Sequence, residues 1–212
     1  MKNFFLLSLC LCTCMSMLAS CGAPRTDAAD SIKAIYDLYI LGDTSGISSL
    51  GMTDEDIAAA QKNYDDSLRE TIRANFAASG QEINENTLDK LCSVRKDALA
   101  KMSATAEIIE ESDGKATVVI HTTYFNEASL DADAFYDAKE ESQQLDFETQ
   151  EEQQVFLMNA YTQNLIEAYQ DVTPSESTTD ITVECVIQHK TWVPANMSSF
   201  GSDLASAIAG QH

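Results

Sequence analysis

The sequence is poor in residues that interrupt regular structure, with 3 Pro and 8 Gly among 212 residues. This scarcity excludes a collagen-like or low-complexity chain. Basic residues are scarce too: 13 Lys and Arg stand against 34 Asp and Glu, so the formal net charge is −21. Because phosphate contacts need clustered Lys and Arg, we expect no nucleic-acid partner. The apolar content of 44% is nevertheless typical of a folded globular chain.

Catalytic and cofactor-binding motifs are also missing. The glycines are not followed by the Gly-Lys-Ser/Thr of a phosphate-binding loop, and neither Gly-x-Ser-x-Gly nor His-Glu-x-x-His occurs. Asp43-Thr44-Ser45-Gly46 is close to the Asp-Thr-Gly turn of aspartic proteases, but an extra residue breaks the match and no second copy exists. A turn that ends a helix explains it better. We predict no catalytic residues, no cofactor, no metal site and no enzymatic activity.

The beginning of the chain has the plan of a lipoprotein leader. Lys2 precedes an apolar run from Phe4 to Leu18, which is short for a membrane-spanning helix. Directly after it, Leu18-Ala19-Ser20-Cys21 resembles the bacterial lipobox of prolipoproteins. The resemblance implies a signal peptide over 1–20, cleaved before Cys21, and a Cys21 thiol linked to diacylglycerol with acyl chains such as palmitate. An uncleaved anchor or a plain secreted protein is the alternative.

The remaining cysteines form at most one pair. Three of the six cysteines lie within the leader, so the mature chain keeps Cys21, Cys92 and Cys185. Cys92 lies in the apolar stripe of a predicted helix, and Cys185 lies on the apolar side of a predicted strand, so both are expected in the core. A disulfide between them and two buried free thiols are both open.

The mature chain reads as an anchor with a short tether over 21–30, followed by a single domain over 31–212. Apolar residues recur at helical spacing, and Thr53 with Asp56 forms a capping box at the start of the second helix. The helices are expected over about 28–41, from Thr53 to Ser79, from Asn84 to Met102, over 131–172 in two pieces, and over 200–208.

Strand periodicity appears in two places. Residues 104–124 alternate around Asp113-Gly114, which predicts a β-hairpin with a two-residue turn. Thr179 to Trp192 predicts one long strand. The order ααα-ββ-αα-β-α therefore predicts an α+β fold, in which a small antiparallel sheet of one hairpin plus a distant return strand is packed by several helices.

Two segments, together with the lipobox, look like parts of uncharacterised bacterial lipoproteins that carry a domain of unknown function. The first is Lys33-Ala34-Ile35-Tyr36-Asp37-Leu38-Tyr39-Ile40 with Gly42-Asp43-Thr44, and the second is Lys190-Thr191-Trp192-Val193-Pro194. The resemblance covers most of 31–209. It implies a fold like that of nuclear transport factor 2, and it brings no catalytic residues with it.

Four features could carry binding or chemistry. The acidic run over 137–152 is either a solvated helical surface or a patch for a cationic partner or weakly held divalent ions. Trp192 is a candidate platform for ligand stacking, or a cover over the edge of the core. His121 should lie on the strand face opposite Ile120. His189 should end a core strand, either hydrogen-bonded there or acting as a general acid or base.

Together these features favour a lipid-anchored extracytoplasmic binding or interaction module of a bacterial cell envelope. It would be held at the membrane through the lipid on Cys21. Its acidic surface suits a cationic or protein partner. Two alternatives are an enzyme with a cavity between helices and sheet that uses a general acid or base, and a purely structural envelope lipoprotein.

Overall fold

The computed structural model describes residues 26–78 and 80–211, so the predicted leader and Cys21 lie outside the described residues. Within them the chain forms six α-helices and one four-stranded antiparallel sheet, which is the predicted α+β architecture. The helices are α1 (Ala28–Tyr36), α2 (Asp54–Ala78), α3 (Glu85–Leu99), α4 (Glu127–Gln143), α5 (Gln150–Asp171) and α6 (Met197–Ile208). The strands are β1 (Ala104–Ser112), β2 (Lys115–Thr122), β3 (Thr179–Gln188) and β4 (Thr191–Pro194).

The four strands pair in chain order, and two tight turns build the sheet. The predicted turn at Asp113-Gly114 is confirmed, with φ of 50° and 75°. The prediction of one strand from Thr179 to Trp192 is wrong, because His189 and Lys190 adopt φ of 54° and 65° and reverse the chain. This second two-residue turn lacks the Asn-Gly or Asp-Gly signal on which the prediction of hairpins depends.

One face of the sheet is buried and the other faces solvent. The buried face carries Ala116, Val118, Ile120 and Thr122 of β2 and Ile181, Val183 and Cys185 of β3. α1 and α6 pack on this face. The Tyr36 and Thr122 hydroxyls share a buried hydrogen bond of 2.7 Å, which ties α1 to β2. Burial raises the pKa of Tyr36 to about 12.

α1 begins at Ala28, as helical spacing predicts, and so overlaps the segment 21–30 that was expected to be anchor and tether. Asp27 accepts a hydrogen bond from the Asp30 backbone and so caps α1, and Ala28 is fully buried. Residues 28–30 therefore belong to the domain rather than to the tether. The first helix does continue to Leu41 as expected, but its last part, Asp37–Leu41, is a π-helix.

The remaining helices form two antiparallel pairs, α2 with α3 and α4 with α5, and α3 packs against α5. The predicted capping box is confirmed, since the Thr53 hydroxyl accepts from the Asp56 backbone and the Asp56 carboxylate accepts from the Thr53 backbone. Asn84 caps α3 as expected. α4 begins at Glu127 rather than near residue 131, because Asn126 caps it. No helix within residues 26–78 and 80–211 is both long and apolar enough to span a membrane.

Candidate functional site

Cys92 and Cys185 are both buried free thiols in the structure. Burial raises the pKa of Cys92, and it raises the pKa of Cys185 to about 12. Both groups are therefore neutral and poorly nucleophilic at neutral pH. Of the two alternatives that the sequence left open, the structure adopts the pair of free thiols.

We expect two reactive thiols per processed chain when the protein is unfolded without reductant, in addition to a blocked Cys21. Because no bond joins α3 to β3, reductant should leave the midpoint of urea unfolding unchanged. A thiol count with a maleimide reagent and mass spectrometry checks this. Zero reactive thiols, with a midpoint that falls on reduction, would contradict it.

Trp192 and His189 lie in positions other than those expected of a stacking platform and of a residue at the end of a core strand. Trp192 is 2% exposed and belongs to the hydrophobic core, so in this structure its ring offers no surface on which a ligand could stack. His189 is exposed in the turn between β3 and β4 instead of ending a core strand. The turn explains the difference, because it removes His189 from the alternation of β3.

His121 lies on the solvent face of the sheet, as expected, and two carboxylates flank it. Its Nδ1 lies 2.6 Å from Asp180 Oδ1, and its Nε2 lies 3.3 Å from Glu107 Oε1. Asp180 is its cross-strand partner on β3. The hydrogen bond to Asp180 in particular raises the pKa of His121.

We therefore expect His121 to titrate above the ordinary histidine pKa of about 6.5. Its contribution to the free energy of unfolding is fully present below the unfolded-state pKa and is lost as pH rises through the higher folded-state pKa. The effect should stay below about 1 kcal/mol, because exposed ion pairs are screened. NMR titration measures the pKa, and the stability difference between wild type and His121→Gln should shrink across that pH range. A pKa at or below 6.5 would refute the arrangement.

A buried ion pair joins α3 to α4 at the base of the α4–α5 hairpin. Arg95 Nε donates to Glu127 Oε1 at 2.8 Å, and Arg95 Nη2 lies 3.4 Å from Glu127 Oε2. The two side chains are 3% and 6% exposed. Tyr169 of α5 donates to the same Glu127 oxygen at 2.5 Å. We call Arg95, Glu127, Tyr169 and the Tyr64 hydroxyl the Arg95 cluster.

The charges of the Arg95 cluster stabilise one another. Burial is the largest single effect on the pKa of the Arg95 guanidinium and lowers it, but the Glu127 charge, the hydrogen bond to Glu127 and the nearby Tyr64 and Tyr169 together raise that pKa. Burial and the Glu127 charge raise the pKa of Tyr169 far above its ordinary value. One helical turn along α4, Tyr161 donates to Asp131 at 2.5 Å. Burial raises the pKa of Asp131, and this hydrogen bond opposes the rise. Arg95 and Tyr169 therefore stay protonated near neutral pH.

Two polar atoms of the Arg95 cluster lack a partner. Arg95 Nη1 and the Tyr64 hydroxyl oxygen are fully buried, and neither forms a hydrogen bond. A buried unpaired polar group costs about 1–3 kcal/mol, and a charged one costs more. Burial raises the pKa of Tyr64, and the nearby Arg95 charge opposes this rise. The unpaired donors therefore lie within electrostatic reach of one another.

Part of this cluster is visible in the sequence. Helical spacing places Tyr64, Arg95, Tyr161 and Tyr169 on the apolar faces of their helices, but it does not show that their polar ends meet. The usable signal is Arg95 itself, since an arginine among Leu88, Leu91 and Leu99 needs a buried acidic partner. Glu127 could not be identified as that partner, because it lies before the predicted start of α4.

The far end of the α4–α5 hairpin is apolar and exposed. Among the described residues four large apolar side chains stand out to solvent, and three of them belong to this hairpin: Tyr136 is 61% exposed, Leu145 49% and Val155 49%. Next to them Phe147 and Phe156 are half-buried against each other, with ring centroids 5.5 Å apart. We call residues 136–156 the hairpin end.

The hairpin is also the most acidic part of the chain. Residues 127–171 contain twelve Asp or Glu and one Lys, a net charge of −11 out of −21. In the described part of the chain, none of the seven acids over 137–152 forms an ion pair. By contrast, five of the six Arg and Lys residues of α2 and α3 form ion pairs, as Arg69 does with Glu85 and Asp89. The acidic charge of the hairpin end is left unneutralised.

The acids of the hairpin end do not converge on a point. Across residues 26–78 and 80–211, no three His, Cys, Asp or Glu side chains lie close enough together to hold a metal ion. Outside the hairpin end, the Asp131 carboxylate accepts a hydrogen bond from the Tyr161 hydroxyl.

Comparison with known proteins gives a family. Residues 18–199 match the family described as a domain of unknown function (DUF5105). The chain belongs to this family. Membership agrees with the resemblance of its Lys33 and Lys190 segments to lipoproteins that carry a domain of unknown function. No curated protein matches the chain.

The fold also occurs in a solved structure. The crystal structure of ycdA from Bacillus subtilis, provisionally assigned as a lipoprotein, is similar with a TM-score of 0.63 and 17% sequence identity. The similarity covers 87% of this DUF5105 chain and 56% of the ycdA chain, so this chain spans a little over half of that protein. At this identity the likeness establishes a shared fold.

Proposed function

We propose that this DUF5105 protein is a lipid-anchored, extracytoplasmic binding module of a bacterial cell envelope, and that it docks a basic protein partner at the hairpin end. The supporting observation is the combination of exposed apolar side chains with unneutralised carboxylates on one helical hairpin. The proposed role is binding rather than catalysis. A likeness to nuclear transport factor 2 is part of the proposal too, supported by helices packed on one face of an antiparallel sheet.

The proposed lipid on Cys21 is needed because electrostatic attraction cannot bind this acidic domain to a membrane. Cleavage before Cys21 removes Lys2 and no acid, which leaves a net charge of −22. An anionic lipid surface repels such a body. Two or more acyl chains on Cys21 would anchor it stably, whereas one chain binds only marginally.

The tether would keep the body close to the membrane. Asp27 already caps α1, so five residues, 22–26, lie between it and Cys21, and six Cα-to-Cα steps join the two. At about 3.3–3.6 Å per residue, the body lies within about 20 Å of the anchor. The proposed module therefore works near the membrane surface and presents its acidic hairpin to partners there.

The negative charge of the hairpin end favours one kind of partner over the others. A second copy of the chain, a nucleic acid or an anionic lipid surface would each bring negative charge against the −11 of the hairpin. A protein segment with Lys or Arg interspersed with apolar side chains complements both the carboxylates and the exposed Tyr136, Leu145 and Val155. We therefore propose a basic amphipathic segment as the partner's contact.

Binding of a defined probe tests this docking surface. The probe is a synthetic helical peptide of alternating Lys and Leu blocks, titrated against the full chain in detergent. Replacing Glu140, Glu141, Glu151 and Glu152 with Gln should weaken binding about tenfold, since each exposed pair contributes a few tenths of a kcal/mol or more. Raising the salt should weaken it as well.

A matched variant distinguishes binding at the hairpin end from attraction to the net charge of the whole protein. Replacing Glu107, Glu110, Glu111 and Glu184 with Gln removes the same four charges from the sheet and should change binding much less. The apolar contribution has its own variant, Tyr136→Ser with Val155→Ser, which should weaken binding at high salt too. Equal losses for both charge variants would show nonspecific attraction and refute the assignment.

A further inference from the structure

The two edges of the sheet differ in how they are protected. The edge strand β4 has four residues and ends at Pro194, which has no N–H to donate, and the Thr191 hydroxyl donates to the Leu50 carbonyl oxygen at 2.7 Å. The other edge strand, β1, has nine residues and contains neither Pro nor Gly. Over 26–78 and 80–211, the backbone of β1 forms backbone hydrogen bonds to β2 alone. Its outer side therefore presents unpaired N–H and C=O groups to which an extended chain can bind.

The core face of the sheet is incompletely covered along β1. Ala104, Ala106 and Ile108 lie on this face and pack against the core, but they are only half-buried. The residues that face them on β2 are fully buried. At the bulge that follows, Ile109 is 59% exposed. A strand added beside β1 would place every second side chain against this strip, and the small alanines leave space there for larger apolar side chains.

The solvent face of β1 is acidic. Glu107 and Glu110 lie opposite Val119 and Thr117 of β2, which belong to that face. Glu107 contacts only His121 among the described cations, and Glu110 forms no ion pair with a described residue. A second copy of the chain paired through β1 would bring these carboxylates near one another, which is unfavourable. Lys or Arg side chains on the added strand would be attracted to them instead.

We propose that the free edge of β1 binds an extended segment of another protein, in which apolar residues alternate with Lys or Arg, as an additional strand of the sheet. Backbone hydrogen bonds to β1 hold the segment, its apolar side chains cover the half-buried strip, and its cations lie beside Glu107 and Glu110. The ladder between β1 and β2 shifts register between Ile108 and Glu110, so regular pairing is confined to 104–108.

This site does not depend on docking at the hairpin end. The two surfaces require different partners, because a helix has already bonded its backbone groups internally and cannot add a strand. A helical peptide therefore does not use the edge of β1, and the sheet variant described above remains a control for the hairpin end. Conversely, an alternating extended peptide tests β1.

The probe for β1 is a short synthetic peptide of alternating Lys and Val, titrated against the full chain in detergent while backbone amides are followed by NMR. We expect saturable shifts and slower hydrogen exchange over 104–110, with cross-peaks between the peptide backbone and β1. The control peptide has Pro in place of its central Val residues, so it lacks those N–H groups and should bind about tenfold more weakly or not at all. Equal binding of the two peptides would show attraction to charge alone and would overturn strand pairing.

Two matched charge variants locate the peptide. Glu107→Lys with Glu110→Lys should weaken binding about five- to tenfold, because two exposed attractions become repulsions. Asp180→Lys with Glu184→Lys makes the same charge change on β3, away from the edge, and should have a much smaller effect. Equal losses in the two variants would refute binding at β1.

The remaining outcomes are equally decisive. Replacing the four hairpin-end glutamates with Gln should leave the β1 shifts unchanged, so this result is independent of the hairpin end. No saturable shift over 104–110, or shifts confined to the hairpin end, would overturn the proposal. Shifts of β1 that follow protein concentration without peptide would assign the edge to a second copy of the chain and overturn the choice of a basic partner.

Discussion

Replacing Arg95 with Met, or Glu127 with Leu, is expected to lower the free energy of unfolding by about 3–5 kcal/mol, because each single change leaves the other charge buried without its partner. Arg95 and Glu127 are 3% and 6% exposed, so water cannot take the place of the missing group. Tyr169 alone would remain bonded to the Glu127 carboxylate in Arg95→Met. Urea unfolding, followed by the fluorescence of the buried Trp192, measures the loss.

The double variant distinguishes an ion pair from a packing effect. Arg95→Met with Glu127→Leu removes both charges and fills the space with apolar atoms, so its stability should return to within about 1–2 kcal/mol of wild type. The control is Lys62→Met, which breaks an exposed pair with Asp66 and should change little. Additive losses in the double variant would contradict a coupled pair.

Replacing Cys21 with Ala is expected to abolish covalent lipidation and to leave an uncleaved or mislocalised precursor. The effect should be all-or-none, since acyl chains contribute about 0.8 kcal/mol per buried CH₂ and the acidic body contributes no membrane attraction. Cys92→Ala is the matched control, because it also removes one cysteine and should keep the lipid. Mass spectrometry of the membrane fraction decides the matter. Membrane-bound mature protein with an unmodified Cys21 would end the lipoprotein proposal.

Local signals predicted most of the fold. Thr53 with Asp56 and the Asn84 cap gave correct helix starts, because a cap is satisfied within three residues of chain. Asp113-Gly114 predicted its turn for the same reason. His189-Lys190 did not, since it is not one of the pairs, such as Asn-Gly or Asp-Gly, that indicate a two-residue turn, and pairing of β4 with β3 holds the turn. Tertiary contacts override local preference there.

The candidate sites were less accessible to sequence reasoning. The acids of 137–152 were recognised from composition, but the exposure of Tyr136 and Val155 depends on how α4 and α5 pack, which periodicity alone does not give. The Arg95 cluster depends on contacts over 32 and 42 residues of chain. No spacing rule links Glu127 to Arg95 or to Tyr169, so only the folded structure shows that they meet.

The central claim is that the hairpin end docks a basic partner at the cell envelope. Photo-crosslinking in the native host tests it most directly, with the crosslinking residue at position 136 or 155, and at the exposed sheet position 182 as the control. We predict one discrete adduct from positions 136 and 155 whose captured peptide is rich in Lys or Arg and apolar residues, and no such adduct from position 182. Adducts of equal yield from all three positions, or captured peptides without basic residues, would contradict the account.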